Sequence, residues 1–245
     1  MVRILLVLAL AGLGFAGAAS AASKFEKDVL STSAGDLEIT FLGHGSLMMS
    51  FGGKTIQVDP YGEVADYARL PKADLILVTH DHYDHMCLDS IRHILRPDTR
   101  LVGGPSCAGK LADAVIMKNG DATTVLGLPI EAVPAYNIAH KRPDGNPWHP
   151  KGEGNGYVVT FGDLLIYNAA NTENIPEMKA LKDIDVAFLP MNLPYTMTPE
   201  MVAEAARWIR PKILYPYHFG DTDTSALVRL LEKDGGIEVR IRKMS

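Results

Sequence analysis

One run constrains this chain more than any other: "LVTHDHYDHM", residues 77–86. Three histidines and two aspartates occupy the six positions 80–85, directly after the apolar stretch "ADLILV". A continuous apolar run of that length reads as a strand buried on both faces. Such a strand does not end in five ionisable groups unless its end opens on something that uses them. Alternate side chains of a strand share a face, so His80 and His82 address one point. Asp84 and His85 follow where the chain turns and address a second. Imidazole is a ligand for Zn, Fe and Mn, and a carboxylate adds negative charge to a cation site. The run points to a divalent metal held at the end of a buried strand.

The flanking chain supplies the frame. "LEITFLG" and "SLMMSF" read as strands on either side of Gly43-His44-Gly45, "KTIQVD" follows Gly52-Gly53 as a hairpin partner, and "TRLVGG" is a further strand. Spacing predicts helices over 88–95, stopped before Pro97, and over 105–115, opened by Pro105. The second half repeats the logic. It has a strand in "IEAVPAYN", a hairpin of "GYVVTFG" and "DLLIYN" across Gly162-Asp163, and a buried strand in "DIDVAFLP". A helix capped by Thr198 runs from Pro199 to Arg210 and is stopped by Pro211, followed by the strand "KILYPYH", a helix over 225–233 and a last strand in "IEVRIR". Strands come first in each half and strand–helix alternation second, a pattern that two mixed β-sheets with helices on their outer faces satisfy. Polar residues recur at the strand ends, at His44, Asp59, His80, Asn137, Asn171 and His218, where ligands gather in layered α/β folds. Residues 138–156 form a long polar loop, of a length that in compact domains usually carries function.

With 245 residues, 47% of them hydrophobic, the chain can enclose one sizeable core, so 23–245 reads as a single domain. A net charge of -5 without a basic run argues against a nucleic-acid partner. Residues 1–22 differ from the rest: Arg3, the apolar "ILLVLALAGLGFAG" and small residues around Ala19-Ser20-Ala21 make a secretory signal peptide cleaved near Ala21 or Ala22. The apolar stretch falls short of the roughly 20 residues of a membrane span. A periplasmic or secreted protein without a stable membrane anchor is the expectation. Cys87 and Cys107 are either a disulfide, as export permits, or two small buried apolar side chains.

"THDHYDH" matches an H-x-H-x-D-H signature. Together with "FLGHGS", "VDPY", "HPKGEGNGYVV", "IPEM", "YTMTPE" and "PKILYPYHFG", it makes the chain resemble the metallo-β-lactamase superfamily over 37–220. The nearest likeness is to the branch of metal-dependent hydrolases that includes the ascorbate-6-phosphate lactonase. The resemblance implies an αββα sandwich with one or two divalent ions at its rim, zinc ahead of manganese or iron. It assigns His80 and His82 to a first ion and Asp84, His85 and His218 to a second. It places Asp59 behind the ligands, as a carboxylate that orients a histidine, with His44 also behind them.

Two positions depart from the pattern. Where relatives carry a third histidine for the first ion, after a "VPA-aromatic" strand, this chain has Asn137. Where relatives carry a bridging aspartate it has Asn171, with Asn168 and Ala170 replacing two neighbours. A carboxamide has one neutral oxygen and an NH2 that cannot ligate. As a metal ligand Asn171 is therefore weak and does not bridge, which weakens the second site. His149 and His140, in the long loop, are candidates to complete the first site or touch substrate, against the plainer reading of exposed loop residues. Lys141, Arg142 and Lys151 would hold an anionic small-molecule substrate or form a solvated face, and Trp148 and Tyr195 would wall the pocket.

The expected function is an exported metal-dependent hydrolase that directs an activated water at an ester, lactone or phosphodiester, with Asp84 orienting the water and accepting its proton. The alternative is a weakly active or non-catalytic binding descendant, motivated by the changes around Asn171, and a true β-lactamase ranks last. Nothing in the charge or heptad pattern predicts assembly; relatives of this kind are often homo-oligomers, and that expectation rests on the resemblance alone.

Overall fold

The alternation in the sequence becomes two sheets of seven strands each among the described residues, 25–245, of the computed structural model. Residues 1–22, and with them the signal peptide expected there, lie outside the described residues. The first sheet runs in chain order: β1 (Glu26–Thr32), β2 (Gly35–Gly43), β3 (Ser46–Phe51), β4 (Lys54–Val58), β5 (Leu75–Val78), β6 (Arg100–Gly103) and β7 (Val115–Ile116). The second comprises β8 (Ala122–Val125), β9 (Leu128–Ala135), β10 (Gly154–Phe161), β11 (Leu164–Asn168), β12 (Val186–Pro190), β13 (Ile213–Tyr217) and β14 (Glu238–Val239). Each sheet begins as an antiparallel meander of four strands and continues with parallel pairs, β4 to β7 and β11 to β14. Parallel neighbours need crossovers. Three of these crossovers carry the α-helices: α1 (Leu88–Ile94), α2 (Pro199–Ile209) and α3 (Thr224–Leu231).

The period of two explains the layers. Leu37, Ile39 and Phe41 of β2, Ile56 and Val58 of β4, and Leu75 and Leu77 of β5 face the opposite sheet, where Tyr157, Val159 and Phe161 of β10 and Phe188 of β12 join the same buried cluster. Ile76 and Val78 point the other way, into a second cluster with Ile91 and Ile94 of α1. That is why "LILV" shows no alternation: both of its faces are covered. Helix α2 starts where Thr198 Oγ1 accepts from Met201 N at 3.2 Å with Pro199 in the first turn, and it buries Val202, Ala203, Ala206 and Ile209 along one stripe. Among the described residues no helix is long and apolar enough to cross a membrane.

Two local expectations need correction. Residues 105–115 are not an α-helix; only Pro105–Cys107 form a 3-10 turn. Gly104 N and Ser106 N are drawn to Val78 O and Glu153 O, and Gly109 takes φ +73°, which ends the turn. The last strand pairs only at Glu238–Val239, because Arg240 and Arg242 turn to Tyr215 and Asp28, and Met244 is then buried. Cys87 and Cys107 are both buried and unpaired. The polar edge strands β1 and β8 carry no strong apolar pattern, and periodicity alone does not mark them as strands.

Candidate metal centre

The ends of β2, β4, β5, β9, β11 and β13 meet at one rim, bringing His44, Asp59, His80, Asn137, Asn171 and His218 into one network. Four residues there, His44 (φ 52°), Asp59 (φ 45°), Ala170 (φ 58°) and His218 (φ 48°), take the left-handed backbone conformation that favours glycine. Such backbone is costly and persists where surrounding contacts over-determine it. Here it turns strand ends sharply: His218 N donates to His44 O at 3.1 Å, and Asp59 N to Leu77 O at 3.0 Å. Gly45 lies so close to His85 that a Cβ would stand 2.8 Å from its Cε1.

Two groups of ligand-type side chains result. His80, His82 and His149 form one, and His44, Asp84, His85 and His218 the other; within each group the ligating atoms lie within 4.8 Å of one another. The rings of His80 and His85 are 4.3 Å apart, so the groups adjoin. Asp84 Oδ2 is 2.9 Å from His44 Nε2, 3.6 Å from His218 Nε2 and 3.8 Å from His85 Nε2. The Asn171 amide sits between the groups. Its Nδ2 is 3.1 Å from His85 Nε2, 3.4 Å from His149 Nε2 and 3.5 Å from His218 Nε2, while its Oδ1 is buried without a partner.

The far sides of the His85, His80 and His149 rings are tied back. Asp59, fully buried, accepts from Thr79 N (2.8 Å), from Thr79 Oγ1 (2.7 Å) and from His85 Nδ1 (2.8 Å). Because the Thr79 hydroxyl donates to Asp59, it accepts from His80 Nδ1 at 2.9 Å. One carboxylate thereby sets two imidazoles with Nε2 facing inward. His149 is held by Asn137, whose Oδ1 accepts from His149 Nδ1 (2.7 Å) and from His149 N (2.9 Å). Asn137 Nδ2 in turn donates to Glu173 Oε1 (3.1 Å) and Tyr195 O (3.0 Å). Buried Glu173 also accepts from Ile138 N, Ala139 N and His140 N, pinning the start of the long loop.

Burial, reinforced by neighbouring imidazoles, pushes His149 down to about 2 and His80 well below its ordinary value. Burial also takes His218 down to about 4, against the opposing pull of Asp84. These rings are neutral at ordinary pH, the form that ligates metal. Burial acts against ionised Asp84, but hydrogen bonds from His218 and His44 outweigh it and hold the carboxyl well below the usual range. His80 Nε2 is buried and has no hydrogen-bond partner. Neutral, inward-facing nitrogens around an unpartnered amide oxygen fit a divalent cation better than they fit an apolar core.

The sequence-derived candidates sort as follows. His80, His82, Asp84, His85, His218 and Asn171 are brought together, and Asp59 stands behind His85. His149 joins His80 and His82. Three expectations change. His44, expected behind the ligands, has its ring nitrogen inside the second group. Asn137 does not face either group as a ligand or substrate contact, because its amide is consumed by His149, Glu173 and Tyr195. His140 turns away, its Nδ1 2.7 Å from Thr196 O and 3.1 Å from Glu173 Oε1. Lys151 pairs with Glu177 at 2.6 Å and Asp81 with Lys110, so neither joins a group. Glu173 and Thr79 went unremarked in the sequence; no spacing marks them, since their partners are remote or defined only by ring orientation. The groups open onto a cleft of about 330 Å³ walled by Arg142, Trp148, Asn192 and Tyr195, with the Trp148 and Tyr195 rings 4.7 Å apart.

Comparison with known proteins agrees with this geometry. The family model described as the beta-lactamase superfamily domain matches residues 38–218. A metal-dependent hydrolase of Thermococcus onnurineus is 32% identical over 196 residues, 75% of this chain and 84% of the relative. One of Pelotomaculum thermopropionicum is 28% identical over 84% of this chain and 96% of its own length. A crystal structure from Parabacteroides distasonis, described as that of a metal-dependent hydrolase, shares 49% identity and a TM-score of 0.86, covering 90% of this chain and all (100%) of that one. Igni18, a metallo hydrolase from Ignicoccus hospitalis, shares the fold at 22% identity and a TM-score of 0.68, over 84% of this chain and 94% of its own. The chain belongs to the metallo-β-lactamase superfamily, and its two mixed seven-stranded sheets with helices outside them match that fold.

Proposed function

We propose that this member of the metallo-β-lactamase superfamily, a metal-dependent hydrolase, binds one divalent cation at His80, His82 and His149 and a second, more weakly, at Asp84, His85 and His218 with His44 beside them. The observation that carries the reading is the set of buried imidazole nitrogens that converge on the Asn171 amide. Zinc suits so imidazole-rich a set. When bound, such a cation supplies water that ionises near neutral pH and a Lewis acid for developing negative charge. The chain's own residues do the rest. Asp84, ionised and open to the cleft, orients the attacking water and takes its proton at Oδ2. Asp59 and Asn137 hold the imidazoles in one tautomer and orientation. Trp148 and Tyr195 shield the mouth of the cleft from solvent.

The substrate class we propose is a small ester, lactone or phosphodiester, with an anionic group. The lactonase-like branch is the favoured parentage on the motifs "VDPY" and "HPKGEGNGYVV". Export as a periplasmic or secreted protein is part of the same reading and rests on the character of residues 1–22; N-terminal sequencing of protein recovered outside the cytoplasm tests it.

Asn171 favours a second reading, a weakly active or non-catalytic binder, because a neutral amide replaces charge between the two groups. The metal content of the purified protein, measured by mass spectrometry, comes first. Near one equivalent or more of transition metal, bound more weakly in His80→Ala and His149→Ala, supports the assignment, and a protein free of transition metal refutes it. Turnover of lactone, aryl ester and phosphodiester panels then separates hydrolase from binder.

A further inference from the structure

The one cationic side chain in the wall of the cleft is in an unusual state. Arg142 sits in a tight turn, with Gly145 N donating to its carbonyl at 2.9 Å and its own N donating to Asn146 O at 2.7 Å. Its guanidinium carbon lies 5.3 Å from the centre of the Trp148 ring, and Nη2 donates to Trp148 O at 3.2 Å. Its Nε is buried with no hydrogen-bond partner, and so is Nε1 of Trp148. Among the described residues no carboxylate forms an ion pair with Arg142, whereas Arg96, Arg207, Arg240 and Arg242 all have one. Asp144, in the same turn, feels the charge of Arg142 but stays exposed and forms no ion pair with it.

A half-buried guanidinium without a counter-charge is costly, and an unsatisfied buried N–H more so. The cost is recovered when an anion arrives. A planar fork held over an indole is pre-organised for a carboxylate or phosphate. Arg142 and Trp148 line the same cleft as His82, Asp84 and His218. A molecule held at the guanidinium therefore extends toward both ligand groups.

We propose that Arg142, seated on Trp148, is the recognition site for an anionic group, a carboxylate or phosphate, carried by the substrate away from the bond that is cut. The proposal rests on the hydrolase reading for the word substrate, and its binding half stands without it. Arg142 thus acts as the specificity determinant, selecting charged over neutral esters of the same size.

The test has two arms on the full-length protein as purified. In the first, a Trp208→Phe background leaves Trp148 as the sole indole, and its fluorescence is followed during titration with glutarate, inorganic phosphate or neutral glutaramide. Anion-dependent change at concentrations about tenfold or more below those required in Arg142→Met is expected, the size of one charge-assisted hydrogen bond; glutaramide should give none. Glutarate against phosphate distinguishes the two head groups. Arg142→Lys, which keeps the charge and loses the fork, should fall between. Titrations that superimpose for Arg142 and Arg142→Met overturn the subsite. In the second arm, the ratio of KM for monophenyl glutarate to that for phenyl acetate should rise about tenfold in Arg142→Met. An unchanged ratio overturns the role in selectivity. If neither ester is turned over, the ester-hydrolase reading is what fails, and the fluorescence arm still decides the anion site.

Discussion

Removing the Asn137 side chain should loosen metal binding through His149, twelve positions along the chain, and the structure gives the size. Asn137→Ala deletes four hydrogen bonds, at 2.7 and 2.9 Å to His149 and at 3.0 and 3.1 Å to Tyr195 O and Glu173. Glu173 keeps three backbone donors, so little is lost there. His149 N–H and Nδ1–H are left buried and unpaired, and each such group costs about 1–3 kcal/mol. A stability loss of about 2–5 kcal/mol follows, read by urea denaturation of metal-free protein. Loss of stability alone would fit any buried asparagine. The discriminating readout is metal affinity by competition with a chelating dye, where removal of the group behind a ligand typically costs about 10–100-fold. If Asn137 acts through His149, the affinity effect disappears in a His149→Ala background. Asn137→Ala that binds metal as tightly as the natural chain, or an effect that persists without His149, refutes the reasoning.

Asn171→Asp restores a charged oxygen between the two groups and should raise the tightly bound metal by up to one further equivalent, read as metal-to-protein ratio after gel filtration; an unaltered ratio means residue 171 does not ligate. Gly45→Ala places a methyl 2.8 Å from His85 Cε1 and should cost about 1–3 kcal/mol of stability together with weaker metal binding, since His85 must shift. Asp28→Asn reports on the C-terminal segment. Burial opposes ionisation of Asp28, but Tyr215 and Arg242 outweigh it and lower its pKa below 3.8, so the contact stabilises fully above that value and is lost as pH falls through the lower folded-state value. The melting-temperature gap between the natural chain and Asp28→Asn should therefore be widest near neutrality and close in acid below pH 3.8; a gap that is constant with pH refutes the pairing.

Local chemistry in this chain is written locally. The spacing of His80, His82, Asp84 and His85 follows from strand geometry and the turn after it, and the apolar runs, the Thr198 cap and the glycine turns each act within a few residues of themselves. Those features are sufficient for two mixed sheets, for the rim of strand ends and for four of the candidate metal ligands. Weak edges such as β1 and β8 were not legible, because a strand's edge pairing depends on a partner and leaves little apolar signature of its own. Only the tertiary structure chose among the loop histidines: His149 is swung inward and His140 outward by Asn137 and Glu173, which meet through chain closures of more than thirty residues. Tertiary packing likewise sets His44 against Asp84, inside a ligand group, and leaves Arg142 without an ion pair among the described residues. Spacing reports which residues share a strand face; which loop atom fills a space between two sheets is decided by the packing that makes the space, and no short stretch of sequence contains it.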